Sequence, residues 1–239
     1  MTKLIYQTDA YIKDFEAVVM QIDAENRSVI LDRSAFYPGG GGQPCDFGSL
    51  EISGVIYPVE KVKKHGDDVH HFLGGATPLP SVNSASLGSL DWVRRHQLMR
   101  THTAMHILCG TVFRDYGAKV TGGEMEPLKG RMDFEFETMH GELVREIEAA
   151  VNYEVQQGRE IRVNILPREE AFQIPDLIRT KINLLPEGIM QVRTVEIVGL
   201  DLQADGGTHV LNTSEVGRIK VVDYKSKGAI NKRIYVEVE

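Results

Sequence analysis

Residues 74–90 read GGATPLPSVNSASLGSL, with three Gly, two Pro and four Ser in 17 residues. No long helix can run through such a stretch, because Pro removes backbone donors while Gly and Ser favour turns. The chain of 239 residues therefore has to fold as two differently built parts, with the boundary expected near Leu90. The first part is punctuated every few residues. Residues 15–22 and 28–31 are β-rich runs around a turn-like 23–27. Residues 52–62 alternate loosely, with breaks at Gly54 and Pro58, and residues 69–73 follow a Gly66-Asp67-Asp68 turn. Many short strands of this kind predict a small β-barrel or sandwich over residues 1–90, with 74–90 itself a connection or a loose last strand.

Past Leu90 the periodicity changes. Asp91 can cap a helix over residues 92–116, closed by Gly117. Met132, Phe134 and Phe136 alternate with acidic residues, as in a half-buried strand. After Thr138, residues Leu143, Ile147, Ala150, Val151 and Val155 recur at helical spacing and stop at Gly158. Residues 161–166, 190–198, 218–224 and 233–238 read as strands. Long helices mixed with largely antiparallel strands make residues 91–239 an α+β domain. The expected fold class is thus α+β, with a barrel-like N-terminal domain.

Composition removes several roles. With 27 Lys+Arg against 34 Asp+Glu the formal charge is −7, the wrong sign for a non-specific nucleic-acid coat, although a local basic groove stays open. The 42% of hydrophobic residues suffices for a buried core and excludes disorder as the main state. Two cysteines, Cys45 and Cys109, cannot staple a chain of this size. No stretch approaches the roughly 18 uninterrupted apolar residues of a membrane span, so a reducing, cytoplasmic setting is expected.

Three constellations carry chemistry. His102 and His106, in RTHTAMHIL, stand four apart on one face of the long helix and can share a metal ion, or simply pair at a core edge. Thr103, Ala104 and Met105 lie between them, so the general-base Glu of HExxH proteases is missing. In DLQADGGTHV, Asp205 and His209 are four apart across Gly206-Gly207. A third imidazole and a carboxylate would complete a tetrahedral set, against the alternative of a glycine turn with an exposed histidine. In RSAFYPGGGGQPCDFG, the glycines Gly39, Gly40, Gly41 and Gly42 expose backbone N–H groups beside Gln43 and Asp46. The loop lacks the Gly-Lys-Ser/Thr ending of a phosphate loop, which leaves a polar binding loop or a flexible hairpin. Cys109, one turn beyond Met105, reads as core.

Taken together, FYPGGGGQPCDFG, LMRTHTAMHIL, DLQADGGTHVLNTSEVG and KGAINKRIYV, in that order, resemble the free-standing alanyl-tRNA editing proteins of the AlaX-M type and the editing domain of alanyl-tRNA synthetase. The resemblance covers residues 33–235, nearly the whole chain. It implies a trans-editing hydrolase that cleaves the ester of seryl-tRNA mischarged on the alanine tRNA, the glycyl ester being a second candidate. It also implies Zn2+ on His102, His106, His209 and the position of Asp205. Here the chain departs from the family it resembles, whose usual cysteine is Asp205 in this sequence. A carboxylate can ligate zinc directly, or turn away and leave three histidines with an open position, which suits catalytic zinc and is the arrangement favoured by the sequence. The glycine loop with Gln43 is the implied site of serine-against-alanine discrimination. An apolar pocket discriminates a hydroxyl only about a hundredfold, whereas polar groups that require it reach roughly ten-thousandfold.

No serine or cysteine nucleophile paired with a histidine is legible, so attack by a positioned water is expected, with Gln43 and the Thr208 hydroxyl as hydrogen-bonding partners. The tRNA acceptor end is expected on a local basic face. Arg94, Arg95 and Arg100, then Lys61, Lys63 and Lys64, are candidates. Lys225, Lys227, Lys232 and Arg233 are preferred because they share the KGAINKRIYV block. No protein partner is implied. The rival from another class is a non-catalytic tRNA-binding module with purely structural zinc.

Overall fold

The computed structural model describes residues 1–179 and 188–239. They form two compact units, Met1–His96 and Gln97–Glu239.

The first unit holds β1 (Lys3–Leu4), β2 (Asp14–Asp23), β3 (Ser28–Leu31), β4 (Arg33–Ser34), β5 (Gly48–Ile52), β6 (Val55–His65), β7 (Asp68–Leu73) and β8 (Ala85–Leu90). β1 and β4 pair in parallel, and the other strands close into a barrel in the order β2-β3-β7-β6-β5-β8. Tight antiparallel hairpins make this possible, turning at Arg27, at Ser53 with Gly54 and at Gly66, all with positive φ. Alternate residues of β2 point inward, so Phe15, Ala17 and Val19 join Leu31, Phe36, Leu50, Ile52, Val62 and Val69 in the barrel core. The barrel expected from the punctuation is present. Residues 52–62, read as one broken run, are instead the end of β5 and most of β6. The loose last strand is β8, which pairs with both β2 and β5 and closes the barrel.

The second unit is α+β. α1 (Trp92–Tyr116), whose residues up to His96 belong to the first unit, starts where Asp91 Oδ1 accepts the Arg94 N–H at 3.1 Å, and ends at Gly117 with φ 65°. Between Thr101 and Val112 every residue of α1 is buried, which makes it a central helix rather than an amphipathic surface one. There follow β9 (Val120–Glu126), β10 (Lys129–Glu135), α2 (Gly141–Gln156), β11 (Ile161–Pro167), α3 (Arg168–Ala171), β12 (Gln191–Ile197), β13 (Asp201–Ala204), β14 (Ile219–Ser226) and β15 (Asn231–Val238). Among the described residues these strands make two antiparallel sheets, β14-β15-β10-β9 and β11-β12-β13. α2 begins at His140, whose Nδ1 accepts the Leu143 N–H at 3.3 Å, two residues beyond Thr138. β9 and β13 have no counterpart in the sequence reading. β9 contains Gly122 and Gly123 and β13 is four residues long, so neither shows a clear period-two signal. No helix of the described residues is long and apolar enough to cross a membrane.

Candidate metal centre and glycine loop

Within the second unit, α1 presents His102 and His106 one turn apart, with ring centroids 5.0 Å from each other. The turn after β13 brings His209 against both, at 4.2 Å from His102 and 4.7 Å from His106. Asp205 starts that turn. Its Oδ2 accepts the Gly207 N–H at 2.8 Å, an Asx turn that fixes the side chain over Gly206-Gly207. The backbone of Asp205 is tied to β12 on both sides: its N–H donates to the Arg193 carbonyl at 3.0 Å, and Arg193 Nη1 donates to its carbonyl at 2.9 Å.

The donor atoms converge. Asp205 Oδ2 lies 3.0 Å from His209 Nε2, while Oδ1 lies 3.5 Å from His102 Nε2 and 4.0 Å from His106 Nε2. One ligand atom from each of the four residues falls within 4.8 Å of every other. Zinc bonds of about 2.0–2.1 Å to nitrogen imply ligand–ligand edges of about 3.3–3.4 Å in a tetrahedron. The observed separations bracket that value, and three imidazoles with one carboxylate oxygen suit zinc and similar divalent ions. The set fits a metal.

Protonation points the same way. Burial pushes His102 well below the ordinary histidine value, Asp205 pulling against the shift, and burial lowers His209 to about 4 despite its bond to Asp205. Both rings are therefore neutral at physiological pH with a lone pair to offer. Burial alone would raise the Asp205 carboxyl and lower His106. The histidines around Asp205 outweigh it and hold the carboxyl well below the usual range, and the Asp201 and Asp205 carboxylates outweigh it at His106, which is raised.

Three residues of this centre were not singled out from sequence. Thr103 Oγ1 sits 3.1 Å from His209 Nδ1 and accepts the Val210 N–H at 3.3 Å. Asp201 Oδ2 faces His106 Nδ1 at 3.4 Å. Arg193 Nη1 lies 3.6 Å from Asp205 Oδ2. Thr103 at i+1 of His102 and Asp201 at i−4 of Asp205 carry no signal without the fold. Thr103, His209 and Asp205 imitate a nucleophile–base–acid triad. Thr103 is fully buried, however, and its oxygen is occupied by the Val210 N–H, so it cannot attack a substrate. Thr208 is also fully buried, and Cys109 is a core residue whose thiol burial pushes far up.

Within the first unit, Gly39, Gly40, Gly41 and Gly42 all have positive φ (86°, 133°, 56° and 88°), a run that residues with a Cβ would strain to follow. The loop is not a floppy hairpin. Gly40 and Gln43 exchange both backbone hydrogen bonds, at 3.0 and 2.9 Å, and Tyr37 Oη donates to the Gly40 carbonyl at 3.0 Å. Gln43 is only 2% exposed, so it is not the solvent-facing loop residue its neighbours suggest. Below the loop, Asp46 accepts the Tyr37 N–H at 2.6 Å and receives Arg95 Nε on both oxygens at 3.0 Å.

The basic candidates separate. Lys225 and Lys227 are exposed, Lys225 beside Asp223 at 3.0 Å. Arg233 grips Asp133 through two bonds of 2.6 and 2.7 Å. Lys232 departs from the expected set: it is buried, and its ammonium caps the Gly228 and Ala229 carbonyls at 2.7 and 2.8 Å. Arg95 is likewise fully buried on Asp46, and Arg100 donates to the carbonyls of Val216 and Glu239, so neither offers a free charge. Lys61, Lys63 and Lys64 are exposed along β6 of the barrel.

Fold and centre together define an α+β protein with a barrel and a His/His/Asp/His metal-type site built on three buried histidines, a class related to the domains appended to aminoacyl-tRNA synthetases. Residues 192–235 match the family described as "Threonyl and Alanyl tRNA synthetase second additional domain", and residues 2–93 the family "tRNA synthetases class II (A)". The alanyl-tRNA editing protein AlaX-M of Saccharolobus solfataricus is 40% identical over 243 residues, covering 100% of both chains. AlaX-M of Methanosarcina acetivorans is 34% identical over 241 residues and 98% of each chain. The alanine–tRNA ligase of Ignicoccus hospitalis is 38% identical over 228 residues, which is 92% of this chain and 24% of the ligase. The chain belongs to the AlaX-M alanyl-tRNA editing proteins.

Proposed function

We propose that this chain is a deacylase that hydrolyses the ester of seryl-tRNA mischarged on the alanine tRNA, with Zn2+ held by His102, His106 and His209 and by Asp205 Oδ1 as fourth donor. The observation that carries the reading is the convergence of three imidazoles on one largely enclosed carboxylate, in a member of an editing family.

The chemistry asks the chain for placement rather than for a nucleophile. Water adds to the ester carbonyl, the bond to the ribose oxygen breaks, and that oxygen takes up a proton. A zinc held by these four donors would act by admitting one further oxygen, and would then supply Lewis-acid polarisation of the ester. The protein's own part is to keep His102 and His209 unprotonated by burial and to hold Asp205 anionic over the Gly206-Gly207 turn. The rigid loop over Gly39, Gly40, Gly41, Gly42 and Gln43 is the candidate reader of the serine hydroxyl, since a fixed set of polar groups discriminates far better than an apolar pocket. Lys225, Lys227 and Arg233 on the β14–β15 hairpin are the candidate acceptor-stem contacts, reading shape and backbone.

The test is deacylation of seryl-, glycyl- and alanyl-tRNA by the parent chain and by a His102→Ala/His106→Ala variant, with zinc measured in both. Seryl-tRNA cleaved, alanyl-tRNA spared, and zinc and activity lost together in the variant are the expected results. A chain that retains tRNA and zinc but cleaves no ester would instead be the binding module with structural metal. Full activity in a metal-free variant would remove zinc from the reading.

A further inference from the structure

Asp201 opens β13 with a carboxylate that has no solvent exposure. A buried carboxylate is costly unless it is ringed by donors. Gln203 Nε2 donates to Oδ2, and Arg179 Nε approaches Oδ1 at 3.4 Å. The remaining side of Oδ2 faces His106 Nδ1 at 3.4 Å, and that ring nitrogen is buried and makes no closer polar contact. His106 Nε2 points the other way, towards Asp205. The helix permits this approach only because residue 110 is glycine: a Cβ there would stand 2.8 Å from Asp201 Cβ and 3.2 Å from Leu200 Cγ.

We infer that Asp201 is a positioning residue for the metal centre: it holds His106 in the Nδ1–H form, so that the Nε2 lone pair faces His102, Asp205 and His209. A neutral imidazole carries its proton on one nitrogen, and an acceptor beside Nδ1 decides which. Without Asp201 the proton is free to sit on Nε2, the nitrogen the metal needs bare. Thr103 serves His209 Nδ1 in the corresponding place, so two of the three rings are oriented from behind. Partners of this kind typically change metal affinity 10–100-fold. The inference rests on the zinc reading above, and its test has a readout independent of hydrolysis.

Zinc affinity of the full chain is measured by competition with a chromophoric chelator, for the parent, Asp201→Asn and Gly110→Ala, each checked for native circular dichroism. Affinity falling 10–100-fold in both variants, with one zinc still bound at saturation, is expected. The metal-free parent is also examined by 15N NMR of its histidines, where His106 should appear as the Nδ1–H tautomer. A parent that binds zinc while folded Asp201→Asn binds it equally well overturns the inference and leaves the zinc reading intact. A parent that binds no zinc overturns the zinc reading instead. If neither variant folds, the tautomer decides: an Nε2–H His106 in the parent chain refutes the role.

Discussion

Removing Asp46 should destabilise the barrel unit far more than an ordinary loop substitution. Arg95 and Asp46 have side chains 0% and 1% exposed, so neither charge can turn to water when its partner goes. Breaking a buried pair from one side typically costs about 3–5 kcal/mol. Asp46→Leu removes the carboxylate and leaves the Arg95 guanidinium with the Ala10 and Ala35 carbonyls, at 3.0 and 2.6 Å, as partners, and it takes away the acceptor of the Tyr37 N–H. At an m-value of about 2 kcal/mol/M, a loss of about 4 kcal/mol lowers the urea midpoint by about 2 M. Trp92 is the chain's one tryptophan, stacked on His96 at 5.7 Å, and its fluorescence reports this unit. The double variant Arg95→Met/Asp46→Leu removes the stranded charge but takes the Arg95 donors from the two carbonyls, at about 1–3 kcal/mol for each buried group left unsatisfied. It should recover at least about 1 kcal/mol over Asp46→Leu without reaching the parent. A loss below about 1 kcal/mol in Asp46→Leu, or two losses that simply add, would refute the buried-pair argument.

Other expected outcomes can be measured alongside. His71, buried in the barrel and bonded to Ser34 Oγ at 2.7 Å, is lowered to about 4 chiefly by burial. The unfolded chain therefore binds the extra proton between pH 6.5 and 4, and stability present above 6.5 falls by about 3 kcal/mol across that window; Trp92-monitored unfolding of His71→Gln should lack this slope. Asp205→Cys should keep one zinc per chain. Asp205→Ala should lose more than about a hundredfold in zinc affinity, and a loss of only 10–100-fold would move Asp205 from ligand to supporting role. Lys225→Ala/Lys227→Ala should weaken tRNA binding and lower the slope of log K against log salt by about 2, whereas Lys232→Ala should leave that slope unchanged because its ammonium is buried.

The fold was legible where local rules act alone. Asp91 and Gly117 bracket α1 as a cap and a left-handed stop should, and Ser28–Leu31 is a strand with the bounds its composition suggests. β13 was illegible, and β8 was readable only as a connection or a loose last strand, for one reason. A strand whose pairing closes a barrel or fills out a small sheet is held by neighbours distant in sequence, so its own residues need little β character. Ser81 and Ser84 lie outside the strand, as their turn propensity suggests, whereas Ser86, Gly88 and Ser89 are held in β8 by the pairing with β2 and β5.

At the centre, ligand types with fixed spacing were readable, and what orients them was not. The i,i+4 rule alone puts His102 and His106 on one face of α1, and the resemblance pointed to Asp205 and His209. Asp205 shows the limit. From sequence it could ligate or turn aside, and the open, three-histidine arrangement looked the better fit to hydrolysis. The Asx turn changes that balance, because Oδ2 is committed to the Gly207 N–H and His209 while Oδ1 faces the other two imidazoles. A cysteine thiolate accepts such a turn bond only weakly. The carboxylate thus shapes the glycine turn and would offer a metal an oxygen, and Arg193 beside it offsets part of the negative charge. Substituting a hard oxygen for the family's thiolate should therefore shift metal preference towards oxygen-seeking divalent ions while leaving the turn, and with it His209, in place.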